Sequence, residues 1–138
     1  MLRHEVDVMR VFYAYWPHAY AVTGAEVDQR WRADMELTIG AVEGGRMYMV
    51  EVDEGTEPHS QVRGRLAVYL DCPRTVLVVT TSPIRVREVI RLTDNPRIYV
   101  TTLSACVDDP WGNHWRNVRG ESGCIARPGD RANAAAGV

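Results

Sequence analysis

Residues 47–69 read MYMVEVDEGTEPHSQVRGRLAVY. An apolar run enters Glu51-Val52-Asp53, a turn follows, and the chain then takes up helical spacing. A strand that begins so apolar belongs in a core, where a carboxylate is costly unless something pairs with it. Two readings follow. The strand end is solvent-exposed, or its acids hold a cation.

Working back from this stretch, "EGGR" at 43–46 is a hairpin turn signal. Before it, "DMELTIGAV" alternates, placing Met35, Leu37, Ile39 and Ala41 on one face. "MYMVEV" is thus the second arm of a hairpin. Working forward, Val62, Leu66, Tyr69 and Leu70 mark a helix that stops near "DCP", and the β-branched run "TVLVVTT" reads as a strand buried on both faces. Ser82 and Pro83 form a cap and first-turn proline for a helix carrying Val86, Val89 and Ile90. "RIYVTTL" is then the last strand. Ahead of the hairpin, Leu2, Val6, Met9, Tyr13 and Trp16 make the apolar stripe of a helix expected to face the core and to end at Pro17. "AYAV" is a brief strand, and Thr23 with Glu26 has the form of a capping box.

Strands separated by single helices imply parallel crossovers. The expected fold is therefore α/β, with a mixed sheet in which an antiparallel hairpin is extended by parallel strands and flanked by helices. From Asp108 the composition changes. "DDPWGNHWRNVRGESGC" is expected to lie over the body through Trp111 and Trp115, whereas "ARPGDRANAAAGV" has nothing to bury and is expected to be disordered. This divides the chain into a domain over residues 1–107 and a largely irregular extension over 108–138.

Composition narrows the chemistry. The length of 138 residues suits one domain. No apolar run approaches the roughly 20 residues that cross a bilayer, and the charged "MLRHEVDVMR" is no signal peptide, so a cytoplasmic location and no membrane partner are expected. Cys72, Cys106 and Cys124 are widely spaced and odd in number, which argues for reduced cysteines and against a zinc site. All 16 basic residues are arginine. Lysine-amine chemistry is closed to this chain, while arginine still grips phosphate in a bidentate fork.

Asp34, Glu51 and Asp53 all fall at strand ends around the hairpin. Counted outward from Gly44-Gly45, Asp34 and Glu51 are offset, although twist or a bulge would bring them together. Glu51 and Asp53, two apart, share a face. Three carboxylates at a sheet edge suit Mg2+ or Mn2+. Spacing alone leaves solvated strand ends as the other reading.

The stretches "RADMEL", "MYMVEVDEGTE", "RGRLAVY", "VLVVTTSPIRVREVIRL" and "IYVTTL" resemble the replication-relaxation family, plasmid- and mobile-element-associated proteins of the PD-(D/E)xK nuclease-like superfamily. The likeness covers roughly residues 2–103, with "EVDEGTE" its most specific part. It implies a restriction-endonuclease-like core. It also implies catalytic roles for Asp34, Glu51, Asp53 and Arg65, and a metal held by Asp34, Glu51, Asp53 and the Val52 carbonyl. Asp53 stands where nucleases of the fold carry lysine, Arg65 where a helix lysine is found, Tyr69 is in register, and Glu5 is a further acid. Ala33 replaces the motif proline and Glu54 a frequent arginine.

The implied function is a Mg2+- or Mn2+-dependent DNA endonuclease or nickase, acting as a homodimer where both strands are cut. The alternatives are a catalytically inactive DNA-binding or replication-accessory protein of the same fold, and a subunit of a larger replication assembly. Nucleic acid is expected to meet His59, Gln61, Arg63 and Arg65 at the helix after the hairpin, together with Arg87 and Arg91 on the next. His59 is either a proton-transfer group or an inert loop histidine.

Overall fold

The computed structural model describes residues 2–41, 44–129 and 138. Among these residues seven strands form one sheet in chain order: β1 (Ala19–Thr23), β2 (Met35–Ile39), β3 (Arg46–Val52), β4 (Thr75–Thr80), β5 (Ile98–Thr102), β6 (Trp115–Arg116) and β7 (Ser122–Gly123). β1–β2–β3 are antiparallel, β3–β4–β5 parallel, and β5–β6–β7 antiparallel again. The helices are α1 (Arg3–Tyr15), α2 (His59–Ala67), α3 (Pro83–Ile90) and α4 (Leu103–Asp108). α2 and α3 supply the two crossovers that parallel pairing requires. The α/β class, the mixed sheet and the central hairpin thus stand as expected from the sequence. Among the described residues, no helix is long and apolar enough to cross a membrane.

Strand alternation sorts the core into two layers. Tyr48, Val50, Leu77 and Val79 pack with Val8, Val11 and Tyr15 of α1 and with Cys106 of α4. Met49, Val76, Val78 and Val100 pack on the other side with Val62, Leu66 and Tyr69 after β3 and Val86 and Val89 of α3. β4 therefore feeds both layers, which explains its unbroken apolar run.

Two expected faces are corrected. On α1 the inward residues are Val8, Val11 and Tyr15, whereas Leu2, Tyr13 and Trp16 are 73%, 63% and 61% exposed. The helix carries two apolar stripes, and a 3.6-residue period does not say which one meets the sheet. The rotation is fixed by polar anchors at both ends. His4 Nε2 lies 3.1 Å from the Val52 carbonyl, and the Tyr15 hydroxyl donates to the Pro110 carbonyl at 3.0 Å. Past α2 the chain tightens into a 3-10 turn over Val68–Asp71, which buries Tyr69 and leaves Leu70 exposed. The Ser82 cap forms as expected, accepting from the Arg85 N–H, but Thr23 makes no side-chain cap to the turn at Gly24–Glu26.

β5 is not the last strand. The chain passes directly into α4, so the expected boundary after residue 107 falls inside a helix. Beyond it, β6 pairs with β5 and β7 with β6, and Trp115 and Ile125 are fully buried in the α1-side core. Trp111 packs edge-on against Tyr15, as a covering segment would. Most of the stretch expected to be disordered, residues 130–137, lies outside the described residues. Val138 is buried, and its carbonyl accepts from the Tyr48 hydroxyl at 2.9 Å.

Candidate functional site

The register of the central hairpin decides which acids meet. Met35 pairs with Val50 and Ile39 with Arg46, so Asp34, just ahead of β2, stands level with Glu51 in β3. The strand register is symmetric about a point two residues before the glycine pair, which removes the offset expected from counting outward from Gly44-Gly45. Asp34 is tied in place by its Oδ2, which accepts from the Val52 N–H at 2.8 Å. His4 Nε2 lies 3.3 Å from the same oxygen and also reaches the Val52 carbonyl. α1 thereby delivers an imidazole to the edge of the carboxylate pair. Forty-eight positions separate His4 from Val52, and no local pattern marks the histidine as a site residue.

Glu51 points into the α2 side of the sheet and is 2% exposed. Its Oε1 accepts from the Tyr69 hydroxyl at 2.6 Å, and its Oε2 lies 3.7 Å from Arg65 Nε. Burial, reinforced by the negative charge of Asp34, pushes its carboxyl up to about 8. Near neutral pH much of Glu51 is therefore protonated, and it is poised to exchange a proton or to release one to an arriving cation. Tyr69 is pushed up by its own burial and by the Glu51 charge, so it stays a donor. Arg65 also forms an ion pair with Glu57, while its Nε and Nη2, shielded from solvent, have no hydrogen-bond partner among the described residues. Burial works against its charge, but Glu57 and Glu51 together hold it firmly protonated.

Asp53 is not part of this cluster. Its Oδ2 accepts from Arg85 Nε at 2.8 Å and from the Thr80 hydroxyl at 2.6 Å, and its Oδ1 accepts from Arg85 Nη2 at 3.2 Å. Although burial opposes the charge, these hydrogen bonds hold the carboxyl below the usual aspartate value. The expectation that Asp53 serves as a metal ligand or catalytic acid is therefore corrected. It is a buried anchor joining the end of β3 to β4 and α3. Arg85, on the same helix as Arg87, is itself buried and is the residue that captures it.

The residues expected to meet nucleic acid are dispersed. His59 Nε2 lies 3.0 Å from Glu88 Oε2, and Gln61 is exposed on α2. Arg63 and Arg91 line one groove of about 280 Å3, with Leu70 and Asp94. Arg87 opens onto a different groove, about 340 Å3, beside His114 and Arg116. Arg65 faces the carboxylates. Glu5 is exposed on α1.

No family model, curated protein or solved structure matches this chain. Among the described residues, no group of three His, Cys, Asp or Glu side chains is set to hold a metal ion. What converges is a pair of carboxylates, Asp34 and Glu51, with the Val52 carbonyl, His4 and Arg65 around them.

Proposed function

We propose that this chain is a Mg2+- or Mn2+-dependent DNA endonuclease or nickase with a restriction-endonuclease-like core, serving plasmid or mobile-element replication. The observation that carries the reading is the carboxylate pair: buried Glu51 stands level with Asp34, and its carboxyl is raised first by burial and then by that neighbour. A divalent cation between two such carboxylates relieves their repulsion, and oxygen donors are what Mg2+ and Mn2+ prefer. Asp34, Glu51 and the Val52 carbonyl would hold it, with water completing the shell. When bound, the ion supplies an acidified water and neutralises charge on the scissile phosphate.

The remaining work falls to this chain's own groups. Tyr69 fixes the Glu51 orientation through its 2.6 Å hydrogen bond. Arg65 has two unpartnered N–H-bearing nitrogens beside the pair, suited to a phosphate oxygen. It stays protonated and so takes no proton from water. His4, touching Asp34 and the Val52 carbonyl, orients the first carboxylate.

A second reading, a DNA-binding or replication-accessory protein of this fold that does not cut, is favoured by a separate observation. Arg65 already places a positive charge 3.7 Å from Glu51, and Asp53 is closed off by Arg85. Incubation of supercoiled plasmid with Mn2+ or Mg2+ separates the two. Nicking that Asp34→Asn and Glu51→Gln each reduce by at least about a hundredfold supports the nuclease. DNA binding without nicking, and without metal uptake in calorimetry, supports the inactive scaffold.

A further inference from the structure

The outer face of α1 is apolar and has no partner among the described residues. Leu2, Val6, Met9, Tyr13 and Trp16 follow one another at steps of four, three, four and three. That alternation averages 3.5 residues, the spacing of a coiled-coil seam. At about 100° per residue the seam lies opposite Val8, Val11 and Tyr15, the stripe that binds the sheet. Four of its five members are 40–73% exposed. A helix apolar on two opposite sides has a second surface to cover.

Charge and area both select the occupant. Glu5 flanks the seam on one side and Arg10 on the other, in the heptad positions that contact a neighbouring helix. In a parallel two-fold pair, Glu5 of each copy meets Arg10 of the other, so the contact is made twice. An antiparallel pair instead brings the Arg3 and Arg10 edges of both copies together. A buried aromatic side chain covers about 150–250 Å2. At their exposures Tyr13 and Trp16, with Leu2 and Val6, offer roughly 500 Å2 per copy, or roughly 1,000 Å2 for a pair, the threshold of a specific interface.

We propose that α1 pairs in parallel with α1 of a second copy along Leu2, Val6, Met9, Tyr13 and Trp16, forming a two-fold dimer. His4, at the N-terminal end of the same helix, touches Asp34 and the Val52 carbonyl. Parallel pairing therefore places the two carboxylate sites at the same end of the dimer, either side of the axis. The dimer does not depend on the site being a nuclease. If it is one, this arrangement presents two sites to one duplex.

Sedimentation equilibrium across the micromolar range tests the proposal. Wild-type protein should associate reversibly to twice the 15.5 kDa chain mass. Tyr13→Glu should weaken association at least about tenfold with unchanged circular dichroism. Glu5→Arg should weaken it too, and adding Arg10→Glu should restore it. Leu2→Cys should cross-link the dimer on mild oxidation, because only parallel pairing brings those positions together. A monomer at all concentrations overturns the proposal. So does a dimer indifferent to Tyr13→Glu, or one that Leu2→Cys fails to cross-link.

Discussion

Replacing Glu51 by glutamine gives the sharpest test of the site, because its expected effect changes with pH. The folded-state carboxyl is raised from 4.5 to about 8, chiefly by burial and then by Asp34. In the unfolded chain both causes vanish. Between these two values the folded protein binds a proton that the unfolded chain does not, so stability falls as pH rises. The stability contributed by Glu51 is whole below 4.5 and is lost as pH rises through about 8. A displacement of that size corresponds to roughly 5 kcal/mol, a large share of the 5–15 kcal/mol that holds a typical domain together.

Glutamine keeps the shape and the acceptor for the Tyr69 hydroxyl but never ionises. Urea unfolding near pH 4.5, the group's ordinary value, should therefore find wild type and Glu51→Gln within about 1 kcal/mol. At about pH 9 the variant should be the more stable by roughly 3–5 kcal/mol. Mn2+ should restore much of the wild-type stability at the higher pH and leave the variant unchanged, since a cation favours the ionised carboxyl. Parallel pH profiles for the two proteins would refute the raised carboxyl, and with it the observation on which the nuclease reading rests.

Two further outcomes follow from the packing. Asp53→Ala or Arg85→Ala alone should cost about 3–5 kcal/mol by leaving an unpaired buried charge, and the double substitution should cost less than their sum in a thermodynamic cycle. In the wild type this pair's contribution should fade only as pH falls below the ordinary aspartate value of 3.8, opposite in sense to Glu51. Trp115→Ala should destabilise by about 3–5 kcal/mol in chemical unfolding, because the ring is fully buried in the α1-side core. A cost near zero would mean that the β6–β7 segment is a detachable flap.

The elements were legible wherever one residue's neighbours along the chain settle its conformation. Alternation in "DMELTIGAV", the β-branched run "TVLVVTT" and the Ser82-Pro83 start signal each act within a few residues. Each reappears in the structure as β2, β4 and the capped end of α3. The two-residue strands β6 and β7 were not legible, since two residues leave no periodicity to detect. Of the site, Asp34 and Glu51 could be singled out as acids at strand ends. That they stand abreast could not, because register depends on where the hairpin turns, and the glycine pair suggested a centre two residues late.

By itself, then, the sequence determined the α/β class, the central hairpin, the crossover helices and the candidate acids, all of which follow from short-range pattern. Only the tertiary structure decided which apolar stripe of α1 turns inward, that Arg85 removes Asp53 from the site, and that His4 joins Asp34. Those outcomes hang on contacts between residues 30 to 48 apart, such as Arg85 with Asp53 and His4 with Asp34 and Val52. A carboxylate looks the same in sequence whether an arginine from another helix reaches it or not. Its partner is chosen when the layers pack, and the cost of burying a charge alone then enforces the choice.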